Sequence, residues 1–159
     1  IQLEGDQYNL LQFHFHSPSE HALDGKIQGA ELHLVHQSES GELAVVAVML
    51  QPEVQPGESN RAAIAFDVLS DNLPEQAGDK IRTGKMINAQ TLLPTKATTY
   101  RYSGSLTTPP CTESVTWLVM TEPVILSVWQ LSEYERLLHN NHRPLQSLNQ
   151  RDIQLDTSL

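Results

Sequence analysis

Hydrophobic and polar residues alternate along several stretches of the chain, at residues 11–16, 31–35, 98–102 and 115–120. Successive side chains of an extended backbone point to opposite faces, so this alternation is typical of β-strands with one face in a core. Residues 43–50 are apolar without alternation, which predicts a strand buried on both faces. The pattern therefore predicts a domain dominated by a β-sheet.

Two stretches have the spacing of surface helices. The first covers residues 59–69, with a capping residue at its start. The second covers residues 132–138 and opens with Ser-Glu-Tyr-Glu, which resembles a capping box. Residues 1–8, with Glu-Gly-Asp in their middle, predict a hairpin that leads into the first alternating strand. The predicted fold is mainly β (α+β): a single domain on a large, twisted, mostly antiparallel central sheet with a few short surface helices.

Composition narrows the function classes. The chain has 159 residues, of which 39% are hydrophobic, and this suits one domain with a packed core. Its net charge of -9 repels phosphate backbones and anionic lipid surfaces, so we expect no nucleic-acid partner. The longest apolar stretch is too short to span a bilayer, so we expect no membrane span. The single cysteine, Cys111, cannot form a disulfide within this chain.

Three histidines combine into a candidate metal centre. His14 and His16 are two residues apart on a predicted strand, so they project from one face, about 6 to 7 Å apart along the strand. His33 lies on the next predicted strand, and residues 17–30 contain the ingredients of a turn. An antiparallel pairing would bring His33 beside the pair. Three imidazoles with an open fourth position predict a catalytic zinc site.

Two further residues match the phase of these histidines. Gln12 shares the face of His14, and Glu31 shares the face of His33. Histidines that bind a metal usually donate their second N–H to a carbonyl or carboxylate, which both residues can offer. The alternative is that the histidines of this acidic chain are ordinary surface residues. No such phase relation singles out His21, for which a supporting or core position is predicted.

A rigid loop at residues 105–110 carries two adjacent hydroxyls. Its sequence is Ser-Leu-Thr-Thr-Pro-Pro, and its two prolines restrict the backbone. The hydroxyl of Thr107 or Thr108 beside a metal-bound hydroxide would accept its proton and orient it towards a substrate. Without that context the loop is an ordinary turn.

Several longer motifs follow one another along the chain. They are Gln-Phe-His-Phe-His at residues 12–16, Ser-Glu-His at 19–21, Ala-Glu-Leu-His-Leu-Val-His at 30–36 and Tyr-Ser-Gly-Ser-Leu-Thr-Thr-Pro-Pro-Cys-Thr-Glu at 102–113. A closing Asn-His-Arg-Pro-Leu-Gln stands at 141–146. In this order, and over nearly the whole chain, the motifs resemble the α-class carbonic anhydrases. The compact link after residue 16 and the cysteine after the double proline look like bacterial members.

The resemblance implies roles for particular residues. Zinc would be bound by His14, His16 and His33, with Gln12 and Glu31 supporting these ligands. Thr107 would hydrogen-bond to the zinc-bound hydroxide and be held in turn by Glu20, and Thr108 would border the substrate and anion site. An apolar wall that holds CO2 would consist of Val35, Val45, Leu106, Val115 and Trp117.

The activity implied is that of a hydro-lyase: reversible hydration of CO2 to bicarbonate and a proton, by attack of zinc-bound hydroxide. Sulfonamides and anions would bind at the zinc as inhibitors. A bacterial member of the class would be periplasmic or secreted, and a homodimer is left open.

The chain also departs from the family pattern. The usual proton-shuttle histidine, and the usual disulfide partner of Cys111, belong to a segment upstream of residue 12 that this chain does not contain. We therefore expect residues 1–159 to be a catalytic domain that is incomplete at its N-terminus. Two alternatives stay open within the family, namely a non-catalytic binding module, which would be expected to lose a zinc histidine, and a truncated form with impaired turnover. A third is a generic zinc-binding sheet domain with hydrolytic activity.

Overall fold

A computed structural model describes residues 1–55, 63–76 and 78–157 of the chain. Its helices are α1 (Ala63–Ser70) and α2 (Val128–Leu138), with a 3-10 helix at Ala89–Leu92. Its strands are β1 (Gln2–Leu3), β2 (Asp6–His16), β3 (Ala22–Leu23), β4 (Lys26–Ile27), β5 (Ala30–Ser38), β6 (Leu43–Pro52), β7 (Thr99–Ser105), β8 (Glu113–Met120), β9 (Val124–Leu126) and β10 (Gln154–Asp156). Among these residues no helix combines the length and apolar character needed to cross a bilayer.

Within the described ranges, eight strands form one sheet in the order β1-β2-β5-β6-β8-β7-β10, with β9 also pairing with β6. β3 and β4 form a separate small hairpin in the link between β2 and β5. The pairs are antiparallel except that β6 runs parallel to both β8 and β9. The prediction of a mostly antiparallel central sheet is confirmed, and the sheet itself is mixed.

The central position of β6 explains its sequence. It lies between β5 and β8, and residues 44–50 are almost completely buried. A strand with neighbours on both edges and side chains packed on both faces needs apolar residues at every position. The predicted burial of residues 43–50 on both faces is therefore confirmed over 44–50, while Leu43 is half-buried.

The alternation along the other strands sorts residues between two sides of the sheet. One side packs on the helices, where Leu32 and Leu34 belong to the same core cluster as Tyr134 of α2, and the ring of Phe15 contacts that of Tyr134. The opposite side carries a second apolar cluster around Trp117. Because His14, His16 and His33 alternate with core residues, they face this second side.

A bulge in β2 sets the phase of the histidine strand. The pairing between β2 and β5 shifts register between Leu10 and Gln12. As a result Leu11 is 56% exposed, although the alternation grouped it with the core-facing Phe13 and Phe15. From Gln12 onward the strand pairs regularly, so the residues that matter for the site keep the predicted phase.

The bounds of the predicted elements differ from the structure at the start of α2. The hairpin at residues 1–8 is present, with Leu3 opposite Asp6. The predicted start of α2 at residue 132 is wrong, because the helix begins at Val128 with a capping box formed by Ser127 and Gln130. That earlier start carries Leu131 and Tyr134 into the core on one face. The expected cap of the first helix, Ser59, lies outside the described residues.

Candidate metal centre

The register of β2 and β5 brings the three histidines together. His14 lies directly opposite His33, and His16 lies opposite Glu31. The ring centroids are 4.9 Å apart for His14 and His16, 5.3 Å for His14 and His33, and 4.8 Å for His16 and His33. One nitrogen from each ring lies within 4.8 Å of the others. The sequence prediction that an antiparallel pairing gathers these side chains is confirmed.

Each imidazole turns one nitrogen away from the cluster, towards an oxygen. Nδ1 of His14 is 2.9 Å from Oε1 of Gln12, and Nδ1 of His16 is 3.1 Å from the carbonyl oxygen of Asn141. Nε2 of His33 is 2.8 Å from Oε1 of Glu31. These oxygens only accept hydrogen bonds, so each of the three nitrogens carries a hydrogen. The remaining nitrogens are Nε2, Nε2 and Nδ1, respectively, and they face the shared space.

The shared space has the character of a metal site. Nε2 of His16 is buried and has no hydrogen-bond partner among the described residues. Burial, followed by repulsion from His33 and His16, lowers the pKa of His14 from 6.5 to about 4. Burial, again the largest cause, also lowers the pKa of His16. A neutral imidazole is the form that binds a metal, so these residues fit Zn²⁺.

Glu31 fixes two imidazoles at once. It is fully buried, and its Oε2 accepts the backbone N–H groups of Glu20 and His21 at 2.8 and 2.9 Å. Its Oε1 lies 2.8 Å from Nε2 of His33 and 2.5 Å from Nδ1 of His21. Burial alone would raise the pKa of Glu31, but attraction to His21 and His33 outweighs it and holds the pKa well below its usual range.

Two groups of this site are not predicted from the sequence. The Asn141 carbonyl is 125 residues from His16, and a backbone acceptor has no signature in the sequence. Tyr102 was assigned only to a strand, yet its hydroxyl lies 2.7 Å from Nε2 of His21. The signal for Tyr102 was its place in the alternating run that leads to the Thr-Pro loop.

Glu20 and Thr107 do not form the hydrogen bond that the resemblance implied. Oε1 of Glu20 accepts the backbone N–H of Arg143 at 2.6 Å. Its Oε2 is buried without a partner among the described residues and lies 4.0 Å from Nδ1 of His33. The carboxylate is therefore turned towards the imidazoles, while the Thr107 side chain is half-buried and lines a cavity that Glu20 also lines.

The expected apolar wall exists as one cluster. Its most buried members pack together beside the centre, and the indole of Trp117 lies 4.9 Å from the ring of His33, centroid to centroid. The predicted residues in this cluster are Val35, Val45, Leu106, Val115 and Trp117. Thr108, by contrast, is exposed and is not among the described residues that line the neighbouring cavity.

A cavity of about 950 Å³ lies next to the centre. Its wall includes Glu20, His21, Tyr102 and Thr107, but none of the three clustered imidazoles. The cavity thus reaches residues that support the centre, Glu20 and His21 among them, without being lined by the three imidazoles.

The whole described site lies within one family match. Residues 1–157 match the family model described as "Eukaryotic-type carbonic anhydrase". The chain belongs to the α-type carbonic anhydrase family. It is 41% identical over 154 residues to a carbonic anhydrase of Klebsiella pneumoniae, covering 96% of this chain and 60% of the relative. A carbonic anhydrase of Nostoc sp. is 43% identical over 146 residues, with 91% and 53% covered.

Solved carbonic anhydrase structures share the fold. The α-carbonic anhydrase of Thermovibrio ammonificans, solved with sulfanilamide, superposes with a TM-score of 0.86 at 38% identity and covers 95% of this chain and 64% of that one. Dioscorin complexed with ascorbate gives a TM-score of 0.81 at 30% identity, with 99% and 65% covered. The chain spans about 60% of the length of the curated carbonic anhydrases it matches.

Proposed function

We propose that the protein is a zinc-dependent carbonic anhydrase that catalyses the reversible hydration of CO2 to bicarbonate and a proton. The observation that carries this proposal is the arrangement of the three imidazoles. Each has its outer nitrogen hydrogen-bonded to an acceptor, and Nε2 of His16 is buried among them without a partner. The names of the relatives support the same reaction.

His14, His16 and His33 would hold the zinc through Nε2, Nε2 and Nδ1. Zinc with three imidazole ligands acidifies water to a pKa of about 7 and so makes a nucleophile available at neutral pH. Gln12, Glu31 and the Asn141 carbonyl would keep each imidazole in the tautomer that presents a lone pair inwards. Such supporting groups raise ligand basicity and fix ring orientation.

The apolar cluster around Trp117 would exclude water and hold CO2. The substrate is small and uncharged, so it gains most from a dry surface next to the nucleophile. Thr107 would orient the reacting group through its hydroxyl. The unpartnered, buried Oε2 of Glu20 is the acceptor that we assign to the Thr107 hydrogen, in an arrangement that requires a movement of either side chain. Thr108 would border the site of anions.

Inhibitor binding and cellular location complete the proposal. A sulfonamide would bind at the zinc, which the Thermovibrio ammonificans relative solved with sulfanilamide supports. We propose a periplasmic or secreted location from the resemblance to bacterial carbonic anhydrases, and a homodimer stays an open alternative to a monomer. Fractionation of the native host and size-exclusion chromatography test these two points.

A second candidate function is ligand binding without catalysis. The likeness to dioscorin, which was solved with ascorbate, favours it as the alternative. The three histidines favour the enzyme, because a module that only binds a ligand has no need of a preorganised zinc site.

Stopped-flow CO2 hydration combined with zinc quantitation separates the candidates. We expect one zinc per chain and measurable hydration in the parent protein, with both lost in His33→Ala. The matched control is His36→Ala, which removes a buried histidine of the same strand that bonds only to backbone. Full zinc and unchanged activity in His33→Ala would overturn the assignment. Bound zinc without hydration in the parent protein would favour the binding module.

A further inference from the structure

The hydroxyl of Tyr102 stands at the outer end of a chain of hydrogen bonds that leads to the metal centre. It lies 2.7 Å from Nε2 of His21, whose Nδ1 lies 2.5 Å from Oε1 of Glu31. The same oxygen lies 2.8 Å from Nε2 of His33. Tyr102 is therefore connected to a proposed zinc ligand through two intervening side chains.

In the middle of this row of hydrogen bonds, the hydrogens can be arranged in only one way. A carboxylate offers about four acceptor positions, and Glu31 faces four donors: two backbone N–H groups at Oε2 and two imidazole nitrogens at Oε1. These four contacts occupy all the acceptor positions of Glu31, which leaves none for a hydrogen of its own. His21 must then carry a hydrogen on Nδ1, and His33 must carry one on Nε2.

The outer end of the hydrogen-bond chain is fixed by geometry. In an imidazole with a single hydrogen on Nδ1, Nε2 is an acceptor. The Tyr102 hydroxyl lies 2.7 Å from Nε2 of His21 and is the group placed to donate to it. The guanidinium carbon of Arg151 lies 5.0 Å from the centre of the Tyr102 ring. Burial raises the pKa of the Tyr102 phenol, an effect that Arg151 offsets only in part, so the phenol keeps its hydrogen.

We propose that Tyr102 is a positioning residue that donates its hydroxyl hydrogen to Nε2 of His21. The donation holds the His21–Glu31–His33 chain in the one arrangement that leaves Nδ1 of His33 free for the metal. This inference rests on the proposed zinc function and extends it beyond the groups that touch the ligands.

The packing around Tyr102 keeps its hydroxyl in place. Its ring is parallel to that of Trp117, with an interplanar angle of 8°, and Trp117 in turn contacts both His21 and His33 edge-on. A Cβ at Gly104 would lie 2.8 Å from Cε2 of Tyr102 and 2.9 Å from Cδ1 of Trp117. With so little free space, Tyr102→Phe should preserve the ring position and remove only the hydrogen bond.

Zinc affinity of Tyr102→Phe, measured by competition with a chromophoric chelator, tests the proposal. Without the donor, Nε2 of the half-buried His21 loses its hydrogen-bond partner, which loosens the bond of His21 to Glu31. We expect zinc to bind about 3–10-fold more weakly, less than the roughly 10–100-fold typical of groups that touch a ligand directly. The matched control is Tyr100→Phe, since Tyr100 lies two residues earlier on β7 and its side chain is exposed. We expect zinc affinity to be unchanged in that variant.

Nitrogen-15 NMR of the imidazoles in the unmutated protein gives a second, independent readout. We expect His21 to carry its hydrogen on Nδ1 and His33 on Nε2, and we expect His21 to lose this single form in Tyr102→Phe. Zinc affinity of Tyr102→Phe equal to that of the parent would overturn the inference, and so would a hydrogen on Nε2 of His21 in the parent protein. The second result holds even if the variant fails to fold. Failure of the parent protein to bind zinc would instead overturn the proposed function.

Discussion

Glu31→Gln removes one oxygen acceptor from the most connected side chain of the centre. If the glutamine oxygen takes the place of Oε2, it still accepts the two backbone N–H groups. Its NH2 group then faces Nε2 of His33, which lies 2.8 Å from the oxygen it replaces. Two donors cannot form a hydrogen bond with each other. His33 therefore tends to move its hydrogen to Nδ1, the nitrogen needed for the metal.

The reverse orientation of the glutamine amide is higher in energy. It would point the NH2 group at the backbone N–H groups of Glu20 and His21, and these donors cannot change their protonation. The first orientation is therefore favoured, and the NH2 group faces the imidazole nitrogens, which can move their hydrogens. Loss of a carboxylate that supports a metal-binding histidine typically weakens metal binding about 10–100-fold, which corresponds to roughly 1.4–2.7 kcal/mol.

The assay is zinc competition against a chromophoric chelator at neutral pH, with thermal unfolding to establish that the variant is folded. The matched control is Glu39→Gln, which removes an exposed carboxylate next to the end of β5. We expect its zinc affinity to equal that of the parent. Zinc affinity of Glu31→Gln within twofold of the parent would refute the reasoning, because the tautomer of His33 would then not depend on Glu31.

Three other outcomes are expected. Phe66→Ala removes a fully buried side chain on α1 and should lower the free energy of unfolding in urea by about 3–5 kcal/mol. The exposed Ile64→Ala should lower it by about 0.5 kcal/mol or less. Gly104→Ala places a Cβ 2.9 Å from Trp117. It should lower the free energy of unfolding by about 1–3 kcal/mol and shift the tryptophan emission. An unchanged spectrum with unchanged stability would contradict the tight packing. Because the folded-state pKa of His14 is lowered from 6.5 to about 4, the unfolded chain binds more protons between these values. Unfolding of the metal-free protein should therefore become easier as the pH falls from about 6.5 towards 4, and less so in His14→Gln.

The core of the site could be predicted because it depends on short-range geometry. His14, His16 and Gln12 share a face through the two-residue period of a strand, and Glu31 and His33 share one for the same reason. Their meeting needed only one antiparallel pairing across a short link. The start of α2 was predicted wrongly because two similar capping sequences lie close together, at Ser127–Gln130 and at residues 132–135. Packing of the helix against the core selects the first of them.

Other features depend on contacts between distant parts of the chain. The bond from His16 to the Asn141 carbonyl joins residues 125 apart, and no side-chain identity records it. The bulge after Leu10 has no turn residue to mark it, so the exposure of Leu11 could not be predicted. The turned carboxylate of Glu20 depends on the backbone of Arg143, which comes from the closing segment of the chain.

The strand order has a consequence for the chain entropy that is lost when the site is assembled. The link between β2 and β5 covers residues 17–29, whereas the link between β6 and β8 covers residues 53–112. For flexible links, closing the longer one costs about 1.4 kcal/mol more in chain entropy. All three candidate zinc ligands therefore belong to a local hairpin whose closure costs little chain entropy. The apolar wall around Trp117 needs the long connection. The proposed metal ligands thus depend on a short-range strand pairing and the surface that would hold CO2 on a long-range one, so the two parts of the site differ in the chain entropy lost when each is assembled.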